Sequence, residues 1–215
     1  DDLPLMTWLQ QHIWPIEGQV IGPAFVADGI ELAVAEMVRG GTTSCAENYF
    51  FPDVQAATYS RLGFRALVGL PVIDFPTAWA RTQDEYFEKG LEVHDNWRRN
   101  PLVSTCFVPH APYTVNDAAF ERIRMLSDQL DLVVHCHIHE TAHENTEAMK
   151  QHGSRHWRVL ARMAGTSMST SAPASSLRTP PIHTSETWWR PVAYTSWEMA
   201  WYIGCVSSGS MSTQV

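Results

Sequence analysis

The sequence has a shortage of positive charge, with 15 Lys and Arg residues against 23 Asp and Glu residues and a formal net charge of −8. A protein that binds nucleic acid needs a basic patch to neutralise the phosphates, and this chain has none. It also lacks an apolar run long enough to cross a bilayer. We therefore expect neither a nucleic-acid partner nor a membrane partner.

Cysteine is scarce as well, and its spacing is uninformative for disulfides. The four cysteines have no close paired spacing, so the sequence indicates neither a zinc ribbon nor a disulfide framework. Three of them lie in apolar, strand-like runs, where buried free thiols are common. The start of the chain has neither an initiator Met nor a signal-peptide pattern. These features predict a reducing, cytoplasmic location and a chain that begins in mid-domain.

Helical and strand-like segments alternate from about residue 23 to residue 165. Such alternation predicts parallel βαβ units, and the absence of a Gly-rich phosphate loop after any strand argues against a dinucleotide-binding sheet. We therefore predict an α/β fold that contains part of a (β/α) barrel. The predicted strands cover 42–46, 65–73, 102–108 and 132–139, and the predicted helices cover 25–39, 52–62, 82–99, 116–130 and a segment that a capping box begins at Thr141.

The C-terminal segment 166–215 has a different composition. About a third of its residues are Ser or Thr, no Lys follows Lys150, and no Asp follows Asp131. Four of the nine tryptophans lie here, whereas disordered tails are normally poor in aromatics. We expect translation in a wrong reading frame rather than a genuine extension. The domain prediction is thus a partial barrel over 1–165 and an atypical Ser/Thr/Trp-rich tail over 166–215.

Histidines cluster in the predicted strand VVHCHIHE, residues 133–140. Strand side chains alternate between faces, so His135, His137 and His139 are predicted to share one face. Imidazole is the commonest protein ligand for metals, and a buried row of imidazoles is costly without a partner. This strand therefore indicates a metal-hydrolase site. In a parallel barrel such groups gather at the carboxyl ends of strands, where His110 follows the preceding strand.

Each of these histidines also has a structural explanation. For His110 alone we favour a hydrogen-bonded structural residue, whereas His137 together with Glu140 favours a functional pair. His135 lies deeper in the strand and is predicted to be a satisfied core group, and His139 is left open. The remaining histidines are predicted to lie at the surface: His12, His94, His143, His152, His156 and His183.

Several motifs in order carry a family resemblance. The segments HIHETAHE (137–144) and PHAPY (109–113) resemble the amidohydrolase superfamily, in its branch of chlorohydrolases and N-heterocycle deaminases. Within that branch, the segments DLPL (2–5), WPIE (14–17), GGTT (40–43) and YFFPD (49–53) resemble the 5-methylthioadenosine/S-adenosylhomocysteine deaminases. The resemblance covers about residues 1 to 160.

The resemblance implies strands two to five of a (β/α)8 barrel and a metal-dependent hydrolytic deamination of an adenine nucleoside thioether. His137 matches a metal ligand, and the implied metal is zinc or another divalent ion that activates a water. Glu140 matches the carboxylate that moves protons between that water and the substrate ring. His110 matches a histidine that contacts the substrate near the attacked carbon. Glu17 matches the acid that holds the ribose hydroxyls; without the resemblance it would be an ordinary solvated acid.

The sequence also departs from the family pattern. The family pattern includes a His-x-His metal pair on the first strand, a metal histidine on the sixth strand and a final metal aspartate. The His-x-His pair is expected upstream of Asp1, and no Asp follows Asp131 to serve as the final ligand. His183 is the only histidine after residue 165, and its surroundings do not resemble the strand-six motif. Leu70 occupies the place of an arginine that some members have, for which Arg81 is a loose substitute. One matched ligand falls short of the roughly three of a catalytic zinc site. We expect this chain alone to hold no catalytic metal tightly and to be inactive.

Two other functions stay open. Another member of the same branch, a guanine, cytosine or triazine hydrolase, would have no use for Glu17, because its substrate lacks ribose. A non-catalytic interaction module with the Trp-rich tail as its contact surface is the second. The open parallel edges of strands two to five would need the tail or a second copy to cover them, which predicts a homo-oligomer. Cytidine-type zinc deaminases are excluded, since no Pro-Cys-x-x-Cys motif occurs.

Overall fold

A computed structural model describes residues 3–153 of the chain. The N-terminal part is helical, and strands then alternate with helices, as predicted. The helices are α1 (Leu5–Trp8), which continues through a π-helical turn (Leu9–Ile13), α2 (Trp14–Val20), α3 (Pro23–Arg39), α4 (Pro52–Leu62), α5 (Gln83–Trp97), α6 (Asp117–Leu130) and α7 (Ala142–His152); the strands are β1 (Ser44–Glu47), β2 (Arg65–Val72) and β3 (Val103–Pro109).

The three strands form one parallel sheet in the order β1-β2-β3. The register pairs Cys45 with Ala66, and Gly69 with Cys106. Each connection carries a helix, as parallel neighbours require. The predicted α/β class and three of the four predicted strands are confirmed, and all their carboxyl ends lie at one edge.

The fourth predicted strand, 132–139, is wrong as a regular strand. Within residues 3–153 it pairs with β3 through a single bridge, between Phe107 and Val134. Phe107 N donates to Val133 O at 3.0 Å and His135 N donates to Phe107 O at 2.9 Å. The next rung of a parallel ladder would need an N–H from Pro109, which has none. The segment then continues as irregular chain, with His137 N donating to His110 O at 3.1 Å.

Helix caps explain where several helices begin. Asn116 accepts a hydrogen bond from Ala119 N at 3.0 Å, which confirms the predicted cap of α6. Thr82 caps α5 by accepting from Glu85 N at 3.2 Å. The turn after α3 contains Gly41 with φ +84°, a conformation that glycine adopts without strain.

Two clusters of buried apolar side chains pack the helices against the sheet. Val26 and Ile30 of α3 pack with Tyr59 of α4 against the first half of the sheet. Phe87 of α5 packs with residues of α6 against the second half, and Leu70 and Phe107 belong to this cluster. Leu70 is therefore a core residue, at 1% exposure, while Arg81 is exposed.

The surface prediction for His94 is wrong. His94 is buried between α5 and β3, and its Nδ1 lies 2.7 Å from Thr105 Oγ1. Burial lowers the pKa of His94. The error arose because a lone polar residue on a helix shows no partner until the strand beneath it is placed. His12 and His143 are exposed as predicted, His152 is half-buried, and His156 and His183 lie outside the described residues.

Other expectations concern thiols, membranes and the tail. Cys45 and Cys106 are buried and Cys136 is half-buried, all as free thiols, as predicted. Over residues 3–153, no helix has the length and apolar character needed to cross a bilayer. Cys205 and the atypical segment 166–215 lie outside the described residues.

Candidate active site at the carboxyl edge of the sheet

His110 lies directly after β3, at the carboxyl edge of the sheet. Its Nδ1 is 2.9 Å from Thr114 Oγ1, and the same hydroxyl accepts from Ala111 N at 3.2 Å and donates to Ala111 O at 3.0 Å. When the Thr114 hydroxyl gives its proton to Ala111 O, it accepts from the ring, an arrangement that requires the tautomer with the proton on Nδ1 of His110. Burial, with His137 nearby, lowers the pKa of His110 to about 4. The ring is thus neutral near pH 7 and held by one nitrogen.

His137 lies beside His110 in the irregular segment that follows the bridge. The ring centroids of His110 and His137 are 5.6 Å apart, and those of His135 and His137 are 6.0 Å apart. Asn48, the residue after β1, places Nδ2 3.2 Å from His137 Nε2. The ends of β1 and β3 therefore meet the histidine segment at one place. Burial lowers the pKa of both His135 and His137, and His135 is half-buried rather than enclosed in the core.

Glu140 is bound to a tyrosine from the loop after β3. Tyr113 Oη donates to Glu140 Oε2 at 2.6 Å, which joins the two motifs that the sequence singled out. Burial raises the pKa of Glu140, the bond from Tyr113 opposes that rise, and the nearby charge of Glu144 adds to it. At neutral pH, the free-energy difference between the ionised and the protonated form of Glu140 is therefore smaller than for a glutamate in water.

The turn before α7 is organised by Glu144. Its Oε1 accepts from His139 N and its Oε2 from Glu140 N, both at 2.8 Å, while Glu144 N donates to Thr141 Oγ1 at 3.0 Å. The Thr141 half of the predicted capping box is confirmed. The carboxylate half differs, because it binds the two residues before the cap instead of the cap itself. His139 has φ +62°, which ends the alternation predicted for the three histidines.

Glu17 lies on α2 and is tied to the end of β1. Tyr49 Oη donates to Glu17 Oε1 at 2.8 Å, and Tyr49 follows Asn48, which contacts His137. Burial and the Glu17 carboxylate raise the pKa of Tyr49. A ring contact between Trp14 and Phe75, with centroids 6.1 Å apart, also holds the helical N-terminal part to the loop after β2.

The sequence did not predict the contacts that four residues make in this arrangement: Asn48, Tyr49, Tyr113 and Thr114. Tyr113 had a local signal, since it lies three residues after His110 and directly after Pro112 in the loop that follows β3. The Tyr49–Glu17 bond spans 32 residues, and no periodicity connects its partners. Such a pair emerges only when α2 is placed against the sheet.

The described residues do not by themselves fit a metal site. Across residues 3–153, no group of three or more His, Cys, Asp or Glu side chains is placed to hold a metal ion. Catalytic zinc normally has about three protein ligands. His137 is the candidate ligand that the sequence named.

The fold and the carboxyl-edge groups agree with a family comparison. The family model described as "Amidohydrolase family" matches residues 1–170. The chain belongs to the amidohydrolase family. It is 49% identical over 163 residues to a 5-methylthioadenosine/S-adenosylhomocysteine deaminase of Teredinibacter turnerae, a match that covers 76% of this chain and 37% of that protein. A deaminase of the same name from Saccharophagus degradans is 45% identical, with 72% of this chain and 35% of that protein covered.

Solved structures give the same picture of the fold. A zinc-bound adenosine deaminase from Xanthomonas campestris superposes with a TM-score of 0.73 and 66% identity, over 76% of this chain and 37% of that one. A guanine deaminase from C. acetobutylicum with bound guanine gives a TM-score of 0.66 at 17% identity, over 76% of this chain and 41% of that one, and shows likeness of fold alone. The chain spans little more than a third of the length of these relatives.

Proposed function

We propose that this chain is part of a metal-dependent hydrolytic deaminase that acts on an adenine nucleoside thioether. The observation that carries the proposal is the meeting of His110, His137 and the Tyr113-bound Glu140 at one sheet edge. The 49% identity to a protein named as a deaminase of 5-methylthioadenosine and S-adenosylhomocysteine supports the substrate class. Strands β1 to β3 and the segment 133–137 would then be strands two to five of a (β/α)8 barrel.

Each side chain then has a role that its surroundings suit. Glu140 takes up the two protons of the attacking water in turn, and passes the first to the ring nitrogen and the second to the departing amino group, which leaves as ammonia. Burial, which raises the pKa of Glu140, favours such exchange. His110 contacts the substrate near the attacked carbon and polarises the addition, and Thr114 fixes its orientation. Glu17 binds the ribose hydroxyls, held by Tyr49.

We propose zinc or another divalent metal as the cofactor of the complete site. The zinc-bound Xanthomonas campestris structure supports this assignment. His137 supplies one ligand, and the other ligands of the family pattern have no match in this sequence.

Two alternative functions predict different behaviour. A guanine, cytosine or triazine hydrolase of the same branch needs no ribose contact, whereas here a tyrosine orders Glu17 across 32 residues. The guanine deaminase and atrazine chlorohydrolase structures, each at 17% identity, show likeness of fold alone and do not choose between these functions. A non-catalytic module would bind no nucleoside at this edge. The Glu17–Tyr49 pair favours the nucleoside deaminase.

Metal retention and turnover test the completeness of the site. We expect the purified 215-residue chain, loaded with excess zinc and dialysed, to keep well under one zinc per chain by elemental analysis. We also expect no ammonia from 5-methylthioadenosine above a protein-free blank, because His137 alone cannot hold a catalytic metal. Stoichiometric zinc together with ammonia release would show that residues outside 3–153 complete the site.

Substrate class is tested by binding without turnover. 5-Methylthioadenosine is expected to shift the NMR signals of Tyr49, His110 and Tyr113, and adenine, which lacks the ribose, to shift those of His110 and Tyr113 alone. Glu17→Gln weakens nucleoside binding about tenfold, the loss of one hydrogen bond to a charged group, and leaves adenine binding unchanged. Glu31→Gln, an exposed acid on α3, is the matched control. If Glu17→Gln weakened the binding of both ligands equally, Glu17 would not be the residue that binds the ribose hydroxyls.

A further inference from the structure

We infer that Glu144 is a positioning residue that sets the place of Glu140 through the backbone of residues 139 and 140. Glu144 is 4% exposed and belongs to the first turn of α7. Its two carboxylate oxygens each accept one backbone N–H, from His139 and from Glu140, at 2.8 Å. The inference rests on the proposed function for the role of Glu140, while the contacts themselves do not.

The turn needs this carboxylate because of its backbone conformation. His139 has φ +62°, a left-handed conformation that histidine adopts more readily than most residues other than glycine but that still needs support. The bend aims the N–H groups of His139 and Glu140 at the same point on α7. A carboxylate has acceptors on both oxygens, so it can satisfy both donors together. The turn and Glu144 are therefore matched in geometry and chemistry.

The side chain of Glu140 is then fixed from two directions. Its backbone N–H is bound by Glu144, and its carboxylate Oε2 accepts from Tyr113 at 2.6 Å. Tyr113 comes from the loop after β3 and Glu144 from α7, so the candidate proton carrier bridges two elements that are separate in sequence. A shift of the turn would break the Tyr113 contact, even with every residue of the candidate site still present.

Isosteric replacement of the carboxylate tests this role in the full chain. Glu144→Gln keeps the size of the side chain but turns one acceptor oxygen into an NH₂ donor, which faces a backbone N–H. Exchange of the His139 and Glu140 amide protons, followed by NMR, is expected to speed up about ten- to a hundredfold, as for a lost hydrogen bond to a charged group. The carboxyl ¹³C signal of Glu140 is expected to move in the direction that Tyr113→Phe moves it.

Two comparisons separate positioning from simple helix capping. Glu147→Gln makes the same chemical change one turn further along α7, where Glu147 pairs with Lys150, and should leave both amides and the Glu140 carboxyl signal unchanged. Thr141→Ala removes the side-chain cap and should speed exchange in the first turn of α7 without the Glu140 carboxyl shift. If Glu144→Gln loosens α7 alone and leaves Glu140 unmoved, the inference is wrong.

The measurements that test the role of Glu144 do not depend on turnover. Exchange rates and carboxyl shifts are read on the resting chain, so the absence of nucleoside binding would overturn the proposed function and leave the Glu144 contacts standing. Unchanged amides at residues 139 and 140 in Glu144→Gln would overturn the Glu144 role whatever the substrate proves to be.

Discussion

Gly69→Ala is expected to destabilise the fold by about 3 kcal/mol or more, which is a large share of the stability of a small domain. Gly69 lies in the central strand, β2, opposite Cys106. A Cβ at this position would lie 2.5 Å from the backbone oxygen of Glu47 and 2.6 Å from Val108 Cγ2. The first neighbour is backbone in β1 and cannot rotate away, so the strand that leads into Asn48 would have to move.

Gly90→Ala supplies the matched control for this prediction. Gly90 lies inside α5, and its added Cβ would be 3.4 Å from Leu70 Cβ, close to ordinary contact. Alanine is the better helix former by about 1 kcal/mol, so this variant should be neutral or slightly stabilised. Urea unfolding followed by circular dichroism measures both variants. Equal stability of Gly69→Ala and the parent chain would show that β1 and β2 are not packed as described.

Glu47→Gln is expected to remove a pH dependence of stability that one buried carboxyl creates. Glu47 is fully buried at the end of β1, and Tyr59 Oη donates to its Oε2 at 2.7 Å. Burial raises the pKa of Glu47 to about 7, well above its ordinary value of 4.5. Between these values the folded chain holds a proton that the unfolded chain has released, so stability falls as pH rises through this window.

The size of the effect follows from the width of the window. A shift from 4.5 to about 7 corresponds to about 3 kcal/mol lost between pH 4.5 and pH 8. Glutamine still accepts from Tyr59 and does not ionise, so the variant gains that amount relative to the parent over the same range. The difference in unfolding free energy at several pH values measures it, with Glu92→Gln at an exposed position of α5 as control. A difference that is constant with pH would contradict the prediction.

Both variants concern the strand that leads to the candidate site. β1 ends at Glu47, Asn48 contacts His137, and Tyr49 holds Glu17. A displacement of this strand is therefore expected to disturb the histidine edge and the Glu17 contact together. The geometry of the candidate site therefore depends on the pairing of β1 with β2.

Much of this protein could be predicted from local patterns. Helix periodicity and caps located α3 to α6, a short β-prone run located β1, and apolar runs located β2 and β3, because these features depend on near neighbours in the sequence. The motifs around His110 and His137 identified the family, which the comparison over residues 1–170 confirms. The roles of Glu17, His110, His137 and Glu140 stay predictions.

The rest depended on tertiary structure, for reasons visible in single residues. His94 looked like a surface histidine until β3 placed Thr105 beneath it. The histidine segment looked like a strand by alternation, but its pairing partner has Pro109 where a donor is needed, and His139 turns the chain away. Tyr49, Tyr113 and Glu144 became site residues through contacts between elements. Sequence by itself determined helices α3 to α6, strands β1 to β3 and the family, because these depend on local patterns and motifs. Only the tertiary structure decided what each polar group touches, since hydrogen-bond partners are chosen by distance in space.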